Sequence, residues 1–322
     1  MRYVIFFAVI FCAAFAFADE AAPRTDGIQP ALVESAKDPD PVVRQAAAMK
    51  LGETGNKSAV SILSGMVLGD PDESVRVAAL GALVIIGDRG AGAAYVAALR
   101  DASDKVRRSA ADALSGSWDE GSMNALIDAL KNDPSPKVRQ RVAESLGNPG
   151  IMGRAQAHHW DSSADTEVAL IQALKKDESY EVRATAASML GKFKSGKSIE
   201  PLLAAMEDKS SSVRAAAADA LGSYDRPEVI ERLIDAIWFE KEEQVIVNAL
   251  RSVKYYTDPR LTGPVIQALR SGSQKVRWQA VDVLETQKPR ECMEPLKQVA
   301  DDKYESDGVR AKAREALDMM GN

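Results

Sequence analysis

This sequence predicts an all-α fold, a right-handed α-solenoid of about nine two-helix repeats, and three observations carry that expectation. The pair Val-Arg recurs at Val43-Arg44, Val75-Arg76, Val106-Arg107, Val138-Arg139, Val182-Arg183, Val213-Arg214, Val276-Arg277 and Val309-Arg310, with Val245-Ile246 filling the one missing beat. The arginine positions follow one another at 32, 31, 32, 44, 31, 32, 31 and 33 residues, and a near-fixed period of this length is the signature of stacked supersecondary units. Each pair opens an alanine-rich stretch of helical period, and no stretch alternates with period two for long enough to make a strand.

In chain order, residues 1–18 read as a cleaved signal peptide. Arg2 supplies the positive start, Val4 to Ala14 is almost wholly apolar, and Ala16-Phe17-Ala18 gives the small-x-small cleavage pattern ahead of Asp19 and Glu20. The apolar run, about 16 residues, falls short of the roughly 20 that a spanning helix needs. Residues 19–27 read as a flexible N-terminal segment. An exported protein is therefore expected, periplasmic or secreted, with no stable membrane insertion after cleavage.

Cleavage leaves Cys292 as the one cysteine, so no intramolecular disulfide is available and the core must hold the fold. It also leaves 40 basic against 47 acidic residues, a net charge of −7, which argues against a nucleic-acid partner.

The repeat solenoid takes residues 28–322, with an inserted loop at about 148–165 that accounts for the single long interval. Four residues before each arginine stands an N-cap residue: Asp40, Asp72, Ser103, Ser135, Ser179, Ser210, Ser273 and Ser306. Such caps accept from free N–H groups of the first turn, worth about 1 kcal/mol each. Pro41 and Pro136 follow their caps at the first helical position, where proline is tolerated. The second helix of each unit is alanine-rich, as in "VRQAAAMKLG" and "VRAAAADALG", and Gly52, Gly87, Gly116, Gly147, Gly191 and Gly222 are expected to end these helices as left-handed caps. The first helix carries bulk, as in "NALIDALKND" and "VALIQALKKD".

The stretches "DPDESVRVAALGAL" (70–83) and "DKSSSVRAAAADALG" (208–222) resemble HEAT-like repeats of the phycobilisome-lyase type, and the resemblance covers about residues 28 to 320. It implies a ladder of charge pairs between stacked units, formed by Asp38, Arg44, Asp70, Arg76, Asp101, Arg107, Asp133, Arg139, Asp177, Arg183, Asp208 and Arg214. The seventh unit departs from that pattern with Glu240 and Ile246, and the last two with Ser271 and Tyr304, so the ladder is expected to weaken toward the C-terminus.

Chemistry finds little support. Attachment of bilins, an activity within the resembled family, is intracellular work and sits badly with an exported chain. The similar fold of deoxyhypusine hydroxylase binds iron through repeated His-Glu pairs, and this sequence contains no His-Glu dipeptide. His158 and His159 share one loop with Asp161 and Asp165, which is short of the three or four fixed ligands a defined metal site needs. Gly90-Ala91-Gly92 is too short to cradle a phosphate and reads as a linker between helices. No catalytic residue, cofactor or metal is expected.

A protein partner is the remaining expectation, bound by a non-catalytic scaffold or adaptor. Val247, Leu250, Trp278 and Val281 are expected to form an apolar patch across two repeats of the groove-lining face, and His158, His159 and Trp160 mark the inserted loop as a second contact. The alternative is a metal- or cofactor-handling protein using the His158-His159 loop. Trp238, Phe239, Tyr255 and Tyr256 are expected to fill the core beside the degenerate seventh unit, and Cys292 to be a half-buried apolar residue. Asn56-Lys57-Ser58 is a glycosylation acceptor pattern in an exposed turn.

Overall fold

The computed structural model describes residues 27–115, 119–147 and 163–321, which form eighteen helices and no strand. They run as nine pairs. Repeat 1 is α1 (Pro30–Ser35) and α2 (Pro41–Glu53), repeat 2 is α3 (Ala59–Gly69) and α4 (Glu73–Ile86), and repeat 3 is α5 (Gly92–Ala98) and α6 (Asp104–Leu114). Then come α7 (Glu120–Asn132) with α8 (Pro136–Gly147), α9 (Ser163–Lys176) with α10 (Tyr180–Phe193), and α11 (Ile199–Ala205) with α12 (Ser211–Leu221). The last three pairs are α13 (Pro227–Phe239) with α14 (Glu243–Val253), α15 (Thr262–Ala268) with α16 (Gln274–Gln287), and α17 (Met293–Asp301) with α18 (Asp307–Gly321). The chain divides into two compact units, one ending at Ala98 and the other beginning at Leu99.

In the first unit α2 packs on α4, and α3 packs on α4 and α5. In the second, the second helices form one layer, α6 on α8, α10, α12, α14, α16 and α18 in succession. The first helices form another, running from α7 through α9, α11 and α13 to α15. This is an all-α solenoid, in which each repeat buries its face on its neighbours. The valine of the Val-Arg pair is sealed in the core from Val75 onward, beside Leu114, Leu146, Leu190, Leu221 and Leu284. Burying each such leucine contributes about 1.5–3 kcal/mol.

Local chemistry sets the helix ends. The side chains of Asp40, Asp72, Ser103, Ser179 and Ser273 cap their helices as expected, whereas Ser210 makes no such bond. Arg89–Ala91 is a 3-10 turn running into α5, so Gly90 and Gly92 belong to the helix entrance rather than to a free linker. Helix α9 begins at Ser163, before the end of the inserted loop anticipated from the sequence.

The expectation for the glycines needs correction. Among the described members of that set, Gly87 alone has a left-handed conformation, with φ of 66°. Gly52, Gly147, Gly191 and Gly222 instead mark where successive second helices touch. A Cβ on Gly52 would lie 2.7 Å from the Cα of Ala82, one on Gly191 2.8 Å from the Cα of Ala220, and one on Gly222 2.6 Å from Ser252 Oγ. Gly116 lies outside the described residues, as do the leader, Trp160, His158, His159 and Asp161.

The ladder arginines reach in two directions. Nη1 donates to the carbonyl six residues back, closing the turn of the same repeat, as from Arg44 to Asp38 (2.8 Å), Arg76 to Asp70 (2.8 Å), Arg107 to Asp101 (2.9 Å) and Arg214 to Asp208 (2.9 Å). Within each compact unit, Nε and Nη2 grip the carboxylate of the following repeat. These bonds are 2.7 and 2.8 Å for Arg44 on Asp70, 2.8 and 3.0 Å for Arg107 on Asp133, and 2.8 and 2.9 Å for both Arg139 on Asp177 and Arg183 on Asp208. Oδ1 of each aspartate also accepts the backbone N–H of the N-cap residue two positions on, for example Ser135 on Asp133 (2.8 Å) and Ser210 on Asp208 (2.8 Å).

The weakening anticipated toward the C-terminus is confined to one interval. Glu240 takes Arg214 at 2.7 and 3.1 Å, and Glu305 takes Arg277 through Nη2 at 2.8 Å, its longer side chain making up for a one-residue offset. At the remaining interval both members are absent together: Ile246 stands for the arginine and Ser271 for the aspartate, so no charge is orphaned. Hydrogen bonds from the partner arginines hold Asp208, Glu240 and Glu305 below the usual carboxylate range.

Candidate partner-binding face

Helices α14, α16 and α18 carry the candidate face. The apolar patch anticipated from the sequence does not form, because Leu250 and Val281 are each 0% exposed. Both stand four residues after the ladder position, where Ala111, Ala143, Ala187 and Ala218 are also buried. A second helix is covered by its own first helix and by the second helices before and after it, as α16 is by α15, α14 and α18. Three-sided packing buries a wider arc than the one-sided stripe of an amphipathic helix. Apart from buried Ala215, positions one after the ladder residue stay at least partly at the surface, which leaves Val247 half-buried and Trp278 41% exposed.

Trp278 sits within a charged frame. Lys312 Nζ lies 5.8 Å from the centre of its ring, within cation–π range. Lys312 also pairs with Glu285 and lies 3.7 Å from Asp282, which in turn binds Lys254 at 2.7 Å and accepts from Gln279 Nε2 at 3.1 Å. Burial pulls the Lys312 ammonium down, but Glu285 and Asp282 more than offset it, so its pKa lies above the ordinary lysine value. The network joins the C-terminal end of α14 to α16 and α18. Sequence reasoning missed it, although a signal exists: Lys254 and Glu285 occupy the position, eight after the ladder residue, that is glycine at Gly52, Gly147, Gly191 and Gly222.

Repeat 7 is braced differently. On α14 and its exit, Asn248 Nδ2 donates to the Ala215 carbonyl (2.8 Å), Ser252 Oγ to that of Ala218 (2.8 Å) and the Tyr256 hydroxyl to that of Tyr224 (2.8 Å). Tyr256 is therefore core, as expected. Trp238, Phe239 and Tyr255 are not, with Phe239 76% and Tyr255 78% exposed. Glu240 keeps the Arg214 pair, so there is no gap for them to fill.

A family model described as HEAT repeats matches residues 29–115, 93–157 and 167–254, more than half of the chain. The chain belongs to the HEAT-repeat family. No curated protein matches its sequence. Among solved structures, YibA of E. coli is similar at 19% identity and a TM-score of 0.60, over 88% of this chain and 98% of that one. Kap95p solved with RanGDP is similar at 17% identity and a TM-score of 0.69, over 90% of this chain. Yeast importin-beta (Kap95p) gives 17% identity and 0.64, over 92%. This HEAT-repeat chain spans less than half of the two Kap95p chains, 44% and 46%. At such identities the likeness is one of fold.

The other sequence-singled residues of this HEAT-repeat protein fall into place individually. Cys292 is fully rather than half buried, and burial pushes its thiol up to about 11, which removes thiolate chemistry at neutral pH. The Asn56 side chain is folded into its own turn, where Oδ1 accepts the Ser58 N–H at 2.9 Å. Among the described residues, no group of three or more His, Cys, Asp or Glu is placed to hold a metal ion, and no helix is long and apolar enough to cross a membrane.

Proposed function

We propose that this chain is a non-catalytic protein-binding scaffold or adaptor of an exported compartment, periplasmic or secreted, built from repeats of the phycobilisome-lyase type. The observation that carries the reading is Trp278, a large indole held partly in the open on the second-helix layer and framed by Lys312, Asp282, Glu285 and Lys254. Tryptophan is enriched at binding hot spots, and a polar frame that excludes water around it raises its contribution. The Val-Arg and Asp spacing supports the repeat subtype, and the apolar leader supports export. The solenoid of Kap95 has been solved with RanGDP and with Nup1, so a stack of this kind can serve to bind proteins.

Crosslinking with mass spectrometry in the native exported compartment tests the reading, run on the wild type and on Trp278→Ala. The expected result is a protein crosslinked to repeats 7–9 in the wild type, with affinity reduced by about 2 kcal/mol or more in the variant. Capture that is equal in both would remove Trp278 from the interface, and an absence of any crosslinked protein would leave a purely structural rod.

A further inference from the structure

Among the described residues the ladder leaves one donor over in repeat 9 and one acceptor over in repeat 1, and they match. In the rungs with Asp133, Asp177 and Asp208, arginine Nε donates to Oδ2 of the next repeat and Nη2 to Oδ1. Arg310, in repeat 9, meets no such carboxylate among the described residues. Its Nε is buried without a hydrogen-bond partner, one of two such side-chain atoms among the described residues, the other being Arg108 Nε. Its Nη2 turns back to Asp307 on its own helix, a side chain that is 93% exposed.

Asp38, in repeat 1, shows the complementary deficit. Its Oδ1 accepts the Asp40 N–H at 2.8 Å, as the corresponding oxygen of each later ladder aspartate does from its own N-cap. Its Oδ2, the atom that takes the arginine Nε elsewhere in the ladder, makes no hydrogen bond or ion pair among the described residues. The donor and the acceptor left over are thus the two halves of one standard rung.

We propose that Arg310 of one copy of this chain completes the ladder on Asp38 of a second copy, joining repeat 9 to repeat 1 head to tail. The packing register supports this independently. Where second helices stack, the residue eight after the ladder position meets the residue six after it in the next repeat: Gly52 meets Ala82, Gly147 meets Met189, Gly191 meets Ala220 and Gly222 meets Ser252. Carried across the proposed junction, that register sets Asp318 opposite Lys50, again opposite charges. Among the described residues, Lys50 is held by exposed Glu53 alone, at 2.7 Å. The position four after the ladder residue, apolar and buried in the other repeats, is an exposed Arg314 in repeat 9, which puts a charge where the internal junctions are apolar. Such a contact is heterologous, and it propagates into chains rather than closing as a symmetric dimer. It is also sensitive to salt.

Sedimentation velocity over a concentration series, at low and at high salt, tests the proposal with the intact chain, Arg310→Asp, Asp38→Arg, and an equimolar mixture of the two variants. The wild type should grow beyond a single chain as concentration rises and shrink back with salt. Each variant alone should stay a single chain, since its two ends then carry like charges. The mixture should associate again, because the acidic tail of one variant meets the basic head of the other. Should circular dichroism show that a charge reversal melts a terminal repeat, Arg310→Gln and Asp38→Asn replace it, and each is expected to lose association in the same way. A wild type that is a single chain at every concentration, variants that associate as it does, or a mixture that fails to re-form the assembly would each overturn the junction.

Discussion

Gly191 and Gly81 both lie inside helices, yet alanine should have opposite effects at the two sites. A Cβ on Gly191 would press 2.8 Å from the Cα of Ala220, and since backbone cannot swing aside, α10 and α12 would have to part. Overpacking of this kind costs about 1–3 kcal/mol. Gly81 is exposed on α4 with nothing within 4 Å of the added atom, so alanine there should raise stability by about 0.5–1 kcal/mol through the unfolded chain's lost freedom. Urea midpoints at unchanged slope check both, and a Gly191→Ala midpoint at or above wild type would contradict the close-approach reading. The regular spacing of these glycines was visible in the sequence. Their reason was not, because a left-handed cap and a close helix contact demand the same residue, and only the neighbouring repeat tells them apart.

Among the elements, the interval between repeats 7 and 8 is a natural double substitution. Ser271 preserves the local geometry of a ladder aspartate: its Oγ accepts the Ser273 N–H at 3.2 Å, and its carbonyl accepts from Arg277 Nη1 at 2.8 Å. Ile246→Arg alone should therefore place a half-buried guanidinium against a hydroxyl, and Ser271→Asp alone a carboxylate against an apolar side chain, each costing about 1–3 kcal/mol. Combined, they should rebuild the rung, with a favourable coupling of about 1–3 kcal/mol in a double-mutant cycle. Simple additivity would show that the slot has closed around Ile246. The helices and their pairing were legible because the Val-Arg beat reports a core position and its neighbour at every turn of the repeat. The compensations by Glu240 and Glu305 were harder to see, since a longer side chain or a one-residue offset restores a contact while breaking the pattern. The apolar patch failed for a related reason: helical periodicity describes burial on one side, and α14 and α16 are packed on three.

At the scale of the whole molecule, the long interval between repeats 4 and 5 makes no mark on the stack. Arg139 and Asp177 are 38 residues apart in sequence, against 25 or 26 for the aspartate rungs of Arg44, Arg107 and Arg183, yet their bonds are the same length. Helix α8 packs on α10, and α7 on α9, as the other repeats do. In a solenoid the energy is close to a sum of repeat and nearest-neighbour terms, so a segment that leaves the neighbour interface unchanged adds little to stability. Removing residues 150–161 keeps Asn148, Pro149 and Ser162 between α8 and α9, a length comparable to the connection from Leu221 to Pro227. Closure entropy changes slowly with length, so the excised chain should melt cooperatively within about 1 kcal/mol of the wild type. Thermal unfolding followed by helical dichroism measures this, and a separate early transition would show that the insert holds repeats 4 and 5 together. If stability is unchanged while the crosslinked partner is lost, the insert, with His158, His159 and Trp160, is a recognition element hung on a stack that does not need it.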